Sequence, residues 1–420
     1  MTDIFDEEGG NWNYNRITYP NGDILVEVLT GEGNLTSFLD HVGSAGDYST
    51  TITDPTGAQT RYSESSDGMY GTTDLPCGMV LKYNNDLDSE YKFKYVKELT
   101  ESTPTGLKKV TLRNKTYEDT DSDDRPDLIT ESISVNSKVI TNVHNILQAL
   151  KVVTSPEGRT ITSRYNATTL RVENVSVPGL QPTAYGYDAR GRLTSVSTNT
   201  RHSSFTYDAN GFLGSATDPA GHTTTYGYDP TGRITGIARP DGGFVGFTYD
   251  NNGNMTVLTN PVDVSHRFGF NTVNRNSSYA MPLSGSYSYV YDKDRQLVQT
   301  NFPSGNQISN FYDNARLSQI QTPEGNIDFT YLCGTKIDSI SKGIESITYG
   351  YDGKLVTSET LSGTLNQSLD YNYNNDFDIF GLTYADQPEK YSYDNDGLLT
   401  AAGDFSITRN AGNGLPEAVF

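Results

Sequence analysis

Long apolar runs, basic residues, cysteine and histidine are all scarce in this chain, and each scarcity closes off a class of function. No apolar run approaches the roughly 18 to 20 residues of a membrane-spanning helix. The opening residues, MTDIFDEEGG, are acidic where a secretion signal is basic and then apolar. The expectation is a chain that does not insert into a membrane and carries no export signal of its own. Basic side chains number 31 against 52 acidic ones, giving a formal charge of -21. Such a surface repels phosphate backbones and no Lys/Arg-rich stretch overrides it, so nucleic acid is not an expected partner. Two cysteines, Cys77 and Cys333, cannot make a disulfide scaffold or a four-cysteine zinc site. One pair at most can form, and nothing in the sequence brings the two together. The five histidines, His41, His144, His202, His222 and His266, are scattered without H-E-x-x-H spacing. There is no Cys-x-x-Cys pair, no G-x-x-x-x-G-K-[ST] phosphate loop and no G-x-S-x-G nucleophile elbow.

What the chain has in quantity is tyrosine (29) and glycine (40), a composition that favours strands and turns over helices. The segment Val143 to Val153, VHNILQALKVV, could pass for a helix, but it lacks charge pairs and caps. The whole chain reads as all-β. Its main signal is a repeat. Tyr-Asp recurs at Tyr187-Asp188, Tyr207-Asp208, Tyr228-Asp229, Tyr249-Asp250, Tyr291-Asp292, Tyr312-Asp313, Tyr351-Asp352 and Tyr393-Asp394, a beat of about 21 residues. Phe270-Asn271, Tyr331 and Tyr373-Asn374 fill gaps, and Tyr165-Asn166 and His144-Asn145 keep the beat upstream. Pro-x-Gly runs out of phase with it at Pro156, Pro219, Pro240, Pro303 and Pro323, so each period contains two turns.

In the Asp188, Asp208, Asp229 and Asp250 copies, Asp is followed three residues later by Gly. That is the signature of a type I turn closed by a left-handed glycine, with the carboxylate accepting backbone N–H groups. Between turns the aromatic residues alternate, as in Tyr226-Gly227-Tyr228, so each period is one β-hairpin. Apolar residues follow each tyrosine at six and nine positions, as Leu193 and Val196 do after Tyr187. An odd separation points them to opposite faces unless a bulge intervenes, and the sequence leaves that choice open. Isolated hairpins are unstable in water, so consecutive ones are expected to pair into one antiparallel sheet. A sheet of about twenty strands must coil or close as twist accumulates.

The pattern written almost in full from Tyr185 to Asp229 resembles the YD repeats of the RHS-repeat family, found in bacterial polymorphic toxins, Tc toxin shells and the teneurin barrel. The resemblance is close over 143–420 and loose over 1–142, where Phe5-Asp6 and Asp54-Pro55-Thr56-Gly57 look like worn copies. The chain is therefore divided into an irregular β region, 1–142, and a repeat array, 143–420. The family fold implied is a β-ribbon that spirals into a hollow shell. No capping unit is visible at either end, so the chain is expected to be a piece of a longer protein. The resemblance implies a non-catalytic shell segment that encloses or displays another polypeptide on a secreted or cell-surface protein. Its partners would be that polypeptide or flanking domains. A carbohydrate-binding or adhesive module is the alternative, and a polysaccharide-active enzyme the third reading.

Two local features compete for a chemical role. The segment from Asp119 to Asp127 has D-x-D-x-D-x-x-x-D spacing, which suits a structural calcium ion held by Asp119, Asp121, Asp123, Asp127 and the Arg125 carbonyl. It resembles the aspartate-rich calcium loops of thrombospondin-type and dockerin-like repeats. It departs from them at Asp124, where glycine is expected, and at Thr130, where glutamate is. His202 and His222, with Arg201 and Arg239, form the best candidate cluster for sugar chemistry, although strand-surface residues usually only face water. The repeat tyrosines could stack on sugars, but their phase with the turns assigns them to cross-strand packing.

Overall fold

A computed structural model describes residues 2–420, with side chains from Ile4 onward. Thirty-nine strands, each of 4 to 11 residues, form one sheet in which every strand pairs antiparallel with the next in sequence, from Thr2–Phe5 to Pro416–Val419. The all-β expectation holds, and no α-helix occurs among the described residues. The strand count is nearly double the expected twenty, because each hairpin contributes two strands and the irregular residues 1–142 join the same sheet. VHNILQALKVV is the end of one strand, a turn at Ile146 to Ala149 and the start of the next.

The turns follow their chemistry. Gly191, Gly211, Gly232 and Gly253 have φ of 83°, 98°, 88° and 92°. Asp229 shows why aspartate opens the turn. Its carbonyl accepts from Gly232 N–H (3.0 Å), and its Oδ1 accepts from the N–H groups of Thr231 (2.9 Å) and Arg233 (3.0 Å).

A bulge settles the question of faces. Tyr185 pairs with Val196, Gly186 with Ser195 and Tyr187 with Leu193, so Thr194 is an extra residue with no partner opposite. The bulge absorbs the odd step and puts Leu193 and Val196 on the face of Tyr185 and Tyr187. The same register shift recurs at Tyr207, Tyr228, Tyr249, Tyr291, Tyr331 and Tyr351.

Each bulge in turn presents a carbonyl to the tyrosine of the next repeat. Tyr207 donates its hydroxyl to Leu193 O (2.8 Å), Tyr249 to Ile234 O (2.8 Å) and Tyr331 to Leu317 O (2.7 Å). Tyr187, Tyr291, Tyr312, Tyr351, Tyr373 and Tyr393 make the same bond. A basic residue at the end of the turn, after Gly191, Gly232 and Ala315 in three of them, completes the link. Arg192, Arg233 and Arg316 lie over the rings of Tyr207, Tyr249 and Tyr331 at 4.3, 4.8 and 4.6 Å.

The sheet has two rims of turns. Turns after even-numbered strands carry Tyr-Asp and define the tyrosine rim; those after odd-numbered strands carry Pro-x-Gly and define the proline rim. Asp54 sits on the proline rim, as Asp218 does. Asp6 opens a turn of the same geometry, with Oδ1 accepting from Glu8 and Gly10, but it too lies on the proline rim. Phe5-Asp6 is therefore out of phase with the Tyr-Asp copies. Residue 143, where the regular array begins in the sequence, falls inside strand Lys138–Asn145. The accessible surface is 24399 Å². A compact monomer of 46.1 kDa would expose about 16,000 Å². Buried apolar side chains are few, Met79, Tyr165 and Leu355 among them. This is a single-layered wall without a filled core.

Replacing Tyr331 with Phe leaves the ring and strips the hydroxyl from the Leu317 carbonyl. The expected cost is about 1 kcal/mol, typical of one such bond, read as a lower denaturant midpoint with an unchanged far-ultraviolet circular dichroism spectrum. An unchanged midpoint would show that the hydroxyl contributes nothing.

Candidate functional site: the seam between circuits

The wall coils on itself, and the proline rim of the first circuit rests on the tyrosine rim of the second. Thr30 Oγ1 and Asn34 Nδ2 donate to Asp294 Oδ2 (2.5 and 2.6 Å), and Glu8 accepts from the backbone and hydroxyl of Thr272 (3.1 and 2.7 Å). Thr105 donates its N–H to Asp352 Oδ1 (2.9 Å) and its hydroxyl to Oδ2. Asn136 and Lys138 reach Asp376 (2.5 and 2.6 Å). Arg159 forks between Asp394 (2.8 Å) and Asp396 (2.5 Å), with Ser155 also on Asp396. Asn413 closes the series on the Pro178 carbonyl (3.1 Å). The same step recurs along this series, and some side chains also reach the neighbouring first-circuit turn, as Arg295 does Asp6 (3.0 Å). The turns that follow strands Ile24–Thr30, Lys94–Ser102, Leu128–Val135, Leu150–Thr154 and Val172–Ser176 meet those that follow Ser286–Tyr291, Glu345–Asp352, Gln367–Tyr373, Gln387–Tyr393 and Phe405–Arg409, twenty-three strands on in each case.

Cys77 and Cys333 belong to the same series. They sit in the turns after strands Tyr70–Asp74 and Gly325–Tyr331, again twenty-three strands apart, and the structure joins them in a disulfide with Cα atoms 5.8 Å apart. Nothing local to either cysteine pointed to this pairing. The missing information was the length of a circuit, since their separation of 256 residues is one turn of the coil. By the chain-entropy argument, closing so long a loop contributes about 5 kcal/mol.

Carboxylates carry most of the seam. Burial pushes the Asp352 carboxyl up, but bonds from Thr103 and Thr105 and the charge of Lys336 outweigh it and hold it below the ordinary 3.8. Burial is likewise outweighed at Asp376 by Lys138 and Asn136, and at Asp396 by the Glu157 N–H, Ser155 and Arg159. Asp292 behaves oppositely. It is raised by burial and then by the charges of Glu32 and Asp294, which outweigh the bonds it accepts from the backbone N–H groups of Gln296 and Asp294. Where the second circuit ends over the first, an apolar groove of about 570 Å³ is lined by Ile140, Val153, Ile161, Leu180, Leu398 and Leu415.

The residues singled out in the sequence lie elsewhere. Asp119, Asp121 and Asp127 bring carboxylate oxygens within 4.8 Å of one another. Asp123 is not in that group and accepts from the Arg125 N–H (2.9 Å). Asp127 is buried, and its Oδ2 accepts from Thr120 N, Thr120 Oγ1 and Asp121 N. The Asp121 carboxyl is pushed up by burial and then by Asp123, Asp127 and Asp119. Asp124 takes the left-handed conformation (φ 63°) that glycine would have eased. The histidine cluster does not assemble: His202 bonds Ser197 (2.8 Å), His222 bonds Asp218 (3.1 Å) and Arg239 pairs with Asp241 (2.7 Å), each within its own hairpin. Nine of the repeat tyrosines commit their hydroxyls to backbone carbonyls and several a ring face to a cation, which leaves those little to offer a sugar. His266, Phe268, Tyr279 and Tyr287 stack on one another, with ring planes within 17°.

The family model described as teneurin YD-shell matches residues 26–416. No curated protein matches the chain significantly. Among solved structures, the TcdB2-TccC3-TEV crystal structure is similar, with 13% identity and a TM-score of 0.56 over 95% of this chain and 24% of that one. The TcdB2-TccC3 crystal structure has 10% identity and a TM-score of 0.52 over 96% and 32%. At these identities the likeness is one of fold, and the chain spans about a quarter to a third of their length.

Because Asp352, Asp376 and Asp396 are lowered in the folded state, their stabilisation is complete above the unfolded value near 3.8 and is lost as pH falls through the lower folded values. The denaturant midpoint should therefore drop below about pH 4. Asp292→Asn should raise the midpoint at pH 7, where the native carboxylate is charged against its surroundings, and the gain should vanish in acid. A variant less stable at pH 7 would contradict the reading of Asp292.

Proposed function

Because this chain belongs to the teneurin YD-shell family, we propose that it forms part of the wall of a hollow β-shell that encloses or displays another polypeptide on a secreted or cell-surface protein. The observation that carries this reading is the recurring twenty-three-strand step of the seam. Twenty-three strands at about 4.8 Å make a circuit of about 110 Å, or about 35 Å across, wide enough for an extended chain or a helix. Residues 1–142 supply the irregular start of the first circuit and 143–420 the regular array. The similar solved structures join two named components, TcdB2 and TccC3, which supports a partner polypeptide or flanking domain for this wall as well. The disulfide supports maturation in an oxidising compartment. No helix among the described residues is long and apolar enough to cross a membrane.

The test is protease digestion of the protein as its source produces it, followed by mass spectrometry. A second polypeptide segment should survive while the wall is intact and be digested once the wall is denatured. If no segment outlasts the wall under native conditions, enclosure is excluded.

The Asp119–Asp127 loop is proposed as a structural calcium site on the tyrosine rim, held by Asp119, Asp121 and Asp127, with Asp123 and the Arg125 carbonyl completing it on closure. Support comes from the clustered oxygens and from the upward push on Asp121, which a cation would relieve. Calorimetry on chelator-treated protein should show binding and a higher melting temperature; no heat and no shift at millimolar calcium would retire the site.

A further inference from the structure

The seam is not uniformly bonded, and its weakest stretch is the one the disulfide spans. Between Asn34 and Glu101 on the first circuit, the Cys77–Cys333 bond is the one covalent, ionic or side-chain hydrogen-bonded link across the seam among the described residues. Asn34 on Asp294 bounds this stretch on one side, and Glu101 on Lys354 and Thr105 on Asp352 bound it on the other. The turns after strands Ile24–Thr30 and Lys94–Ser102 are six strands apart, so the stretch is about 30 Å long. Its turns touch without bonding: a Cβ built on Gly334 would lie 3.6 Å from Asp54 Oδ2 and 3.7 Å from Ala58 Cβ. A polar gap of about 600 Å³, bordered by Glu32, Asn34, Asp292 and Asp313, already lies beside the Asn34 end. Cys77 sits at a turn tip in the left-handed region (φ 68°), and neither cysteine is fully buried.

We propose that the Cys77–Cys333 disulfide is a reducible latch, and that thiol–disulfide exchange opens a window in the shell wall between the turns Asp54–Ala58 and Leu75–Gly78 and the second-circuit turn that faces them, bounded by the buried Met79 against Gly353. The reductant is a low-molecular-weight thiol. Its thiolate attacks one sulfur of the disulfide, forming a mixed disulfide and releasing the other cysteine as a thiolate, which takes up a proton. A second thiol displaces the first, so two thiols are oxidised to one disulfide and Cys77 and Cys333 are both reduced. The flanking seam keeps its carboxylate bonds and the strands keep their ladders, so the opening is local. The wall would stay shut in an oxidising compartment and acquire an aperture in a thiol-rich one.

Hydrogen exchange with mass spectrometry on the full chain, with and without dithiothreitol at constant pH, tests this. On reduction, amides in Asp54–Ala58 and Leu332–Lys336 should exchange faster by on the order of tenfold, while those around Thr105, Asp352, Ser155 and Asp396 stay unchanged. The Cys77→Ser/Cys333→Ser variant should exchange at the fast rate with or without the reductant, which separates the latch from other effects of the thiol. Unchanged exchange in the window after thiol titration confirms two free cysteines would overturn the proposal. So would loss of the β circular dichroism signal on reduction, since the bond would then hold the whole fold and not a window.

Discussion

The bond that nine repeat tyrosines make to the carbonyl left beside the previous bulge is the contact on which the wall depends. A one-layered sheet buries little, so it cannot draw its rigidity from a core. It must hold the angle between successive hairpins by other means. The bulge supplies extra local twist. The hydroxyl fixes how far one hairpin can rotate against the next, as Tyr249 does on Ile234, and the arginine over the ring takes up the remaining face. Repeated in nine periods, a fixed local angle becomes a fixed radius.

A fixed radius is what allows a seam. Contacts made at one point of the coil recur in step only if every circuit takes the same number of strands, and here twenty-three strands separate Thr30 from Asp294 and Pro178 from Asn413 alike. The two rims have complementary chemistry. Tyr-Asp turns offer second carboxylates such as Asp294 and Asp396 beyond the one that builds the turn, and the first circuit answers with hydroxyls, amides and Arg159. The burial these contacts require shows at Asp292, where it combines with the charges of Glu32 and Asp294 to push the carboxyl up.

Much of this was legible in the sequence because it is local. The period, the Asp-to-Gly turns and the positive φ at Gly232 follow from four-residue chemistry, and the family resemblance followed from the same residues. The bulge was half legible: offsets of six and nine after Tyr187 required either a bulge or a split between faces, and Thr194 decides for the bulge. What stayed hidden was whatever depends on the circuit. Asp6 carries the right turn chemistry on the opposite rim, which only a strand count can reveal. Cys77 and Cys333 pair because twenty-three strands return the chain to its starting azimuth, and no pairwise reading of two cysteines contains that number. The aspartate loop was legible as a cluster, yet its geometry differs from the expected ligand set, since backbone N–H groups and Thr120 already occupy Asp127 Oδ2 and Asp123 lies outside the group.

The closure of the coil is most directly measured by dipolar electron resonance between spin labels placed across the seam, in the Cys77→Ser/Cys333→Ser background with Glu157→Cys and Asn395→Cys. These two residues meet in the structure, with the Asn395 N–H donating to Glu157 Oε1 at 2.9 Å. The account predicts labels in near contact, with strong dipolar broadening. A separation on the order of 100 Å, as expected for an uncoiled ribbon of twenty-three strands, would contradict it.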